Sequence, residues 1–327
     1  MKPIQFIENI VSFNFNEFGQ LVVKKSDNSI YCEDLKFNFK GKPYSILANK
    51  CICDISTKTI DIYDLNFIKL ISIEKEGVVS GSVSILNKNI YSIRWEDKNE
   101  NDYFSIYQNN KELYRYADFY GFLINEKVRL VYDGLNFSKF KICLLENEDF
   151  LWSYSLPEGF NIYGKPHLID NLLFFTAYNE FQKNQLLTGL DIETGAVVWQ
   201  NMYEVTSEHN FIQATVYNEK DQFYYGIYST YQVFNPKTGE LVLEKEIPEI
   251  AEHKLEPYVN AIYDDKLWFV SGRGLNTKFG YLNTNTQQIE LLQDFPQEDD
   301  EFFDTPVYHD GKLYLRGKHF NNLYVFE

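Results

Sequence analysis

The chain has 327 residues, 44% of them hydrophobic and 24% charged, an ordinary globular balance with room for two modest domains or one large all-β domain. Its formal net charge of −16 excludes nucleic acid and anionic membrane as partners, because a surface so acidic repels both. No apolar run approaches the length of a membrane span, and the opening MKPIQFIENIVSFNF carries Glu8, Asn9 and Asn14 where a secretory signal needs an apolar core. The expectation is a cytoplasmic protein.

In chain order, apolar runs are interrupted by short turns rich in Asn, Asp and Lys: Ala48-Asn49-Lys50, Asn87-Lys88, Asn125-Glu126-Lys127, Asp170-Asn171, Asn218 to Asp221, Asp264-Asp265-Lys266 and Asp310-Gly311-Lys312. These residue types tolerate the left-handed backbone of a hairpin. Each turn precedes a strand-like run such as IYSIRW, LLFFTA, LWFV or LYLR, and 27 Phe and 25 Tyr favour sheet packing. The turns recur every 40-odd residues, roughly the length of a four-stranded propeller blade. The fold class read from this is all-β: one domain over 1–327, a single β-propeller of four-stranded antiparallel blades. Eight units fit, at about 8–41, 43–75, 78–116, 119–157, 162–204, 208–248, 256–295 and 304–327. The first is short and weakly patterned, so seven blades also fit. The last unit holds only three strands, while Ile4 to Ile7 has nothing near it in sequence to pair with. That N-terminal strand is expected to complete the last blade and seal the ring, removing two exposed edges.

Two stretches stand out. LLTGLDIETGAVVWQ (Leu186–Gln200) and YQVFNPKTGELVLEKEI (Tyr231–Ile247) both read as strand, glycine-closed turn, strand. They resemble the repeat of pyrroloquinoline-quinone-like propellers, with its L-D-x-x-T-G-x-x-x-W core. The match holds at Leu190, Asp191, Thr194, Gly195 and Trp199, is partial at Asn235, Thr238 and Gly239, and fades to Leu282, Asn283 and Thr284. The resemblance implies a fold far more than a function. Quinone-dependent dehydrogenases of that family use an adjacent-cysteine disulfide, and this chain has no Cys-Cys pair. The family's lipoprotein scaffold needs a lipidated N-terminal cysteine, which this chain is not expected to carry.

Catalytic motifs are missing. GVVSG (Gly77–Gly81) lacks the Lys-Ser/Thr of a phosphate loop, and Gly272-Arg273-Gly274 is too short for a dinucleotide fingerprint. The five histidines are scattered, and Cys51 and Cys53 form half a metal site without a second pair, so they read as small apolar core residues. No cofactor and no metal is expected.

In a propeller, the connections between blades and those between the second and third strands of each blade open on one face. Here those connections collect the acids. The expected contacts are Asp97, Glu100, Asp102 and Tyr103 in the third unit, Phe181 in the fifth, Glu208 and Glu252 in the inter-blade connections, and Glu298, Asp299, Asp300, Glu301, Phe302 and Phe303 before the last unit. Acids steer a basic protein and aromatic rings anchor it. The reading is a non-catalytic protein-binding propeller, monomeric until bound, and most specifically an immunity protein whose acidic face neutralises an interbacterial toxin. An assembly scaffold of another kind and a carbohydrate-active enzyme with funnel carboxylates are the alternatives. Reversing Glu298, Asp299, Asp300 and Glu301 to Lys is predicted to slow association with a basic partner, most at low salt; unchanged on-rates would sink the acidic-face reading.

Overall fold

The computed structural model describes every residue except 34, 37–43, 48–50, 75–77, 88–89, 97–101, 109–110, 117–120, 126, 134–135, 145–148, 206–211, 213–214, 229, 252, 254, 257–258, 272–276 and 296–300. It is an all-β propeller of eight four-stranded antiparallel blades, so eight and not seven is the blade number. Strands within a blade are called A to D from first to last. Blade one begins at Ile10–Phe15 and ends at the two-residue strand Leu35–Lys36, which explains its weak pattern in sequence. Blade eight takes its A, B and C strands from Val307–His309, Lys312–Gly317 and Asn322–Phe326. Its D strand is Pro3–Ile7, paired antiparallel with Gln5 opposite Val325 and Ile7 opposite Leu323. Helix is confined to the single turn Pro248–Ala251 among the described residues.

By contact density the chain divides into two compact units. One comprises Ser12–Ala177 and Leu190–Val197; the other Met1–Val11, Tyr178–Gly189 and Val198–Glu327. Within each, apolar clusters form between successive blades. In the first unit Cys51, Cys53, Ile60, Ile62 and Ile71 of blade two meet Val83, Tyr91 and Ile93 of blade three. In the second, Trp268, Val270 and Phe279 of blade seven meet Leu313, Leu315 and Phe326 of blade eight. All four cysteines are buried free thiols, and hydrogen bonding to Cys51 together with burial pushes the Cys53 thiol well above its usual range. They pack as apolar side chains, as the sequence suggested.

The turns follow the local chemistry of the sequence. Asp170, Gln222, Asp264 and Asp310 all take left-handed backbone in the A–B turns. At the C–D turn of blade five, Asp191 Oδ1 accepts from the amides of Glu193 and Thr194 and from Thr194 Oγ1, which together hold the Asp191 carboxyl below the usual range. Asn235 and Asn283 cap the corresponding turns of blades six and seven. Four residues past the cap the chain must turn left-handed. Gly195 (φ 72°) and Gly239 (φ 76°) do this at no steric cost, whereas in blade seven Gln287 (φ 55°) does so against its Cβ.

These turns dock on the previous blade. A Cβ on Gly195 would collide with the ring of Trp152, from the D strand of blade four; one on Gly239 would collide with Trp199, from the D strand of blade five. Trp152 Nε1 also donates to Ile192 O at 2.8 Å, and Asn201 Nδ2 to Gly239 O at 2.5 Å. From blade six, Lys245 Nζ reaches Gln287 O at 2.9 Å. From blade seven, the Gln293 amide brackets Met1, accepting from its amine and donating to its carbonyl.

The D strands share one irregularity. Among the described registers, six blades skip one residue between C and D: Ile4, Leu70, Leu113, Leu151, Val242 and Glu290 have no partner on the C strand. Five of the six are exposed aliphatics. A bulge at the outer edge twists it and interrupts its row of free amides and carbonyls, which defends against edge-to-edge pairing.

Gly239→Ala is predicted to cost roughly 2–4 kcal/mol, from left-handed strain plus overpacking on Trp199. Gln287→Gly should gain about 0.5–1 kcal/mol by relieving the same strain where no ring is met. Urea unfolding of the two variants checks both signs.

Candidate functional site

The face that carries the inter-blade and B–C connections is best described in the second unit. After Phe295, the segment Glu301 to Asp304 runs antiparallel to the end of the B strand of blade eight. Phe303 bridges Gly317, Asp304 N donates to Arg316 O at 3.0 Å, and Lys318 N donates to Phe302 O at 2.8 Å. Side chains therefore alternate. Glu301 and Phe303 point inward; Phe302 and Asp304 point out.

Glu301 is 0% exposed. Its carboxylate accepts from the amides of Phe302 (3.0 Å), His319 (2.7 Å) and Phe320 (3.4 Å), satisfying the B–C turn of blade eight. Gly317 leaves room for it, since a Cβ there would occupy the carboxylate's place. Phe303 is packed edge-on against Phe295 at 4.6 Å between ring centroids, within the same cluster as Phe279, Tyr324 and Phe326. These placements correct the sequence reading: Glu301 and Phe303 are interior supports of the face, not contacts on it.

Outside this support sits a polar and aromatic surface. Arg316 Nε meets Asp304 Oδ2 at 2.5 Å, and Lys318 Nζ meets Asp304 Oδ1 at 3.0 Å. Arg316 Nη1 also donates to Ile10 O and Asn321 Oδ1. His319 stacks on Phe320 with centroids 4.4 Å apart and planes 7° from parallel, and Phe302 lies 6.4 Å from His319. The sequence reading missed His319 and Phe320. Their signal was an aromatic pair in a turn, between KLYLRG and NLYVF, where a turn gains nothing in the core from it.

Phe181 is 94% exposed. It stands on the B–C turn of blade five, where the buried Asn179 accepts from the amides of Phe181 (3.1 Å) and Gln182 (3.0 Å) and Lys183 turns left-handed. The next connection is anchored by the buried Gln185, which exchanges two hydrogen bonds with the Ile212 backbone. In blade three, Tyr103 lies in strand C, and the Arg115 guanidinium covers its ring at 4.7 Å. Two hydrogen bonds to Glu112 fix that guanidinium. Asp102 begins the same strand, opposite Glu96. Asp97, Glu100, Glu208, Glu252, Glu298, Asp299 and Asp300 lie outside the described residues. Among the described residues no group of His, Cys, Asp and Glu is arranged to hold a metal ion.

The fold recurs among solved structures. BamB from Moraxella catarrhalis superposes with a TM-score of 0.61 at 12% identity, covering 99% of this chain and 98% of that one. Hsv2p from Kluyveromyces lactis superposes with a TM-score of 0.50 at 14% identity, covering 82% and 86%. The likeness shows the fold. No protein-family model and no curated protein matches the sequence. The propeller implied by the pyrroloquinoline-quinone-like repeat is therefore present, and at these identities the assignment of function falls to the site itself.

Glu301→Gln replaces an acceptor oxygen by a donor facing amides, and is predicted to lower stability by about 1–3 kcal/mol in urea unfolding. A charge reversal meant to probe the face must accordingly spare Glu301 and be confined to Glu298, Asp299 and Asp300.

Proposed function

We propose that the protein is a non-catalytic, cytoplasmic propeller that binds another protein through this face, and that its partner is a basic toxin domain which it neutralises as an immunity protein. The observation that carries the binding reading is Phe181. A phenylalanine ring 94% exposed on a turn held by a buried asparagine gains nothing for folding, and is placed where a partner can desolvate it. The stacked His319–Phe320 pair, on a turn built around a buried carboxylate, is a second ring surface of the same kind. Net charge of −16 supports a basic partner, since complementary charge speeds encounter and disfavours acidic competitors. The toxin reading rests on the pairing of a strongly acidic chain with the lack of any catalytic motif in its sequence.

The test is capture from native lysate with identification of the bound protein, comparing wild type with Phe181→Ser combined with Phe320→Ser. The expected result is one basic protein, held at least about tenfold more weakly by the variant, since anchor residues carry most of the energy of an interface. Expression of that protein alone should arrest growth, and co-expression with wild type should relieve it. Equal capture by wild type and variant refutes the face; a harmless partner refutes the immunity role.

A further inference from the structure

A second surface lies away from the loop face, on the outer edges of blades five and six. The D strands there are Val197–Glu204 and Glu240–Glu246, and between them runs a groove of about 420 Å³ lined by Asn201, Met202, Tyr203, Glu240, Leu241 and Val242. The groove is built in place. Tyr203 Oη donates to Gly239 O at 2.9 Å and accepts from Leu241 N at 3.4 Å, while Asn201 Nδ2 donates to Gly239 O. Two polar groups of one wall are thus committed to the other wall, and Met202 (56% exposed) and Val242 (49% exposed) stand as an apolar pair at a mixed polar and apolar opening.

The rim is acidic. Glu204, Glu240 and Glu244 are exposed along the two strands, and the one lysine on either strand, Lys245, turns its ammonium away to Gln287 O on the next blade. Val242 is the extra residue of its bulge, opposite no residue of the C strand. A regular edge would invite a further strand; an edge interrupted at the groove does not, so an occupant must be held by its side chains. A second copy of this chain is disfavoured, because it would bring one row of glutamates against another.

We infer that this groove binds a short linear segment of a partner protein, with an aliphatic side chain seated between Met202 and Val242 and basic residues flanking it against Glu204, Glu240 and Glu244. This goes beyond the loop-face reading and stands without it, since the two surfaces share no residue.

The probe is a labelled hexapeptide of two leucines flanked on each side by two arginines, followed by fluorescence anisotropy. Comparison peptides replace the leucines by serines, or the arginines by glutamates. Wild type is expected to bind the leucine–arginine peptide at least about tenfold more tightly than either comparison, as a seated anchor with complementary charge requires. Met202→Lys combined with Val242→Lys should lose that binding by about tenfold or more, and Glu240→Gln with Glu244→Gln several-fold, increasingly at low salt. All four positions are exposed, and unchanged thermal unfolding of each variant checks that the fold is kept. Phe181→Ser should bind the peptide as wild type does. Equal binding of the serine peptide, equal binding by the double-lysine variant, or no binding by wild type would each overturn the inference.

Discussion

The structure depends on one contact between successive blades: the outer strand of one blade meets the last turn of the next. In its fullest form an indole lies under a glycine turn, as Trp152 does under Gly195 and Trp199 under Gly239. The turn needs left-handed backbone, the ring needs a neighbour without a Cβ, and glycine meets both demands at once. Where the ring is lost the contact persists in cheaper form. Leu243 stands in blade six where the repeat has tryptophan, and a lysine there reaches the carbonyl of Gln287, a turn residue that has no glycine's freedom. The repeat has diverged by exchanging one kind of clasp for another while keeping the geometry that each clasp closes.

That explains what was legible in the sequence. The Asp191, Asn235 and Asn283 caps and the turn glycines act within a few residues, so their signals are local and readable. The fourth strand of blade eight was readable by elimination, since Ile4 to Ile7 had nothing nearby to pair with. The candidate site was less so. Counting Glu298 to Phe303 as one acidic and aromatic loop overlooked that its end is extended and alternates. Glu301 and Phe303 share one side, Phe302 and Asp304 the other, and that period of two was visible in the letters. What the letters did not carry is which side faces the core. Burying a carboxylate there is favourable only because two amides of a turn some eighteen residues later converge on it together with the amide of Phe302. The cover on Tyr103 was unreadable for a related reason, since it comes from Arg115 on the neighbouring strand.

The two candidate surfaces show how a propeller separates its duties. The inter-blade clusters are apolar and interlocked, so they tolerate little change, and the turn clasps change their chemistry while keeping their place. The loop face and the outer edges project from that frame, and their chemistry varies from blade to blade. Bulges recur in the D strands while the unpaired residue changes among Ile4, Leu70, Leu113, Leu151, Val242 and Glu290. Edge protection is a property of the repeat; the groove beside Met202 is built from the particular side chains of blades five and six.

The pairing of Pro3–Ile7 with Asn322–Phe326 has a consequence in time as well as in space. Every other blade is assembled from neighbouring segments, but this one joins strands separated by almost the whole chain. Loop closure on that scale makes contact formation slow even where its equilibrium cost is modest. Until it occurs, the strand ending in Tyr324, Val325 and Phe326 presents an unsatisfied apolar edge, so blade eight is the last to mature and the first place where a stalled chain would aggregate.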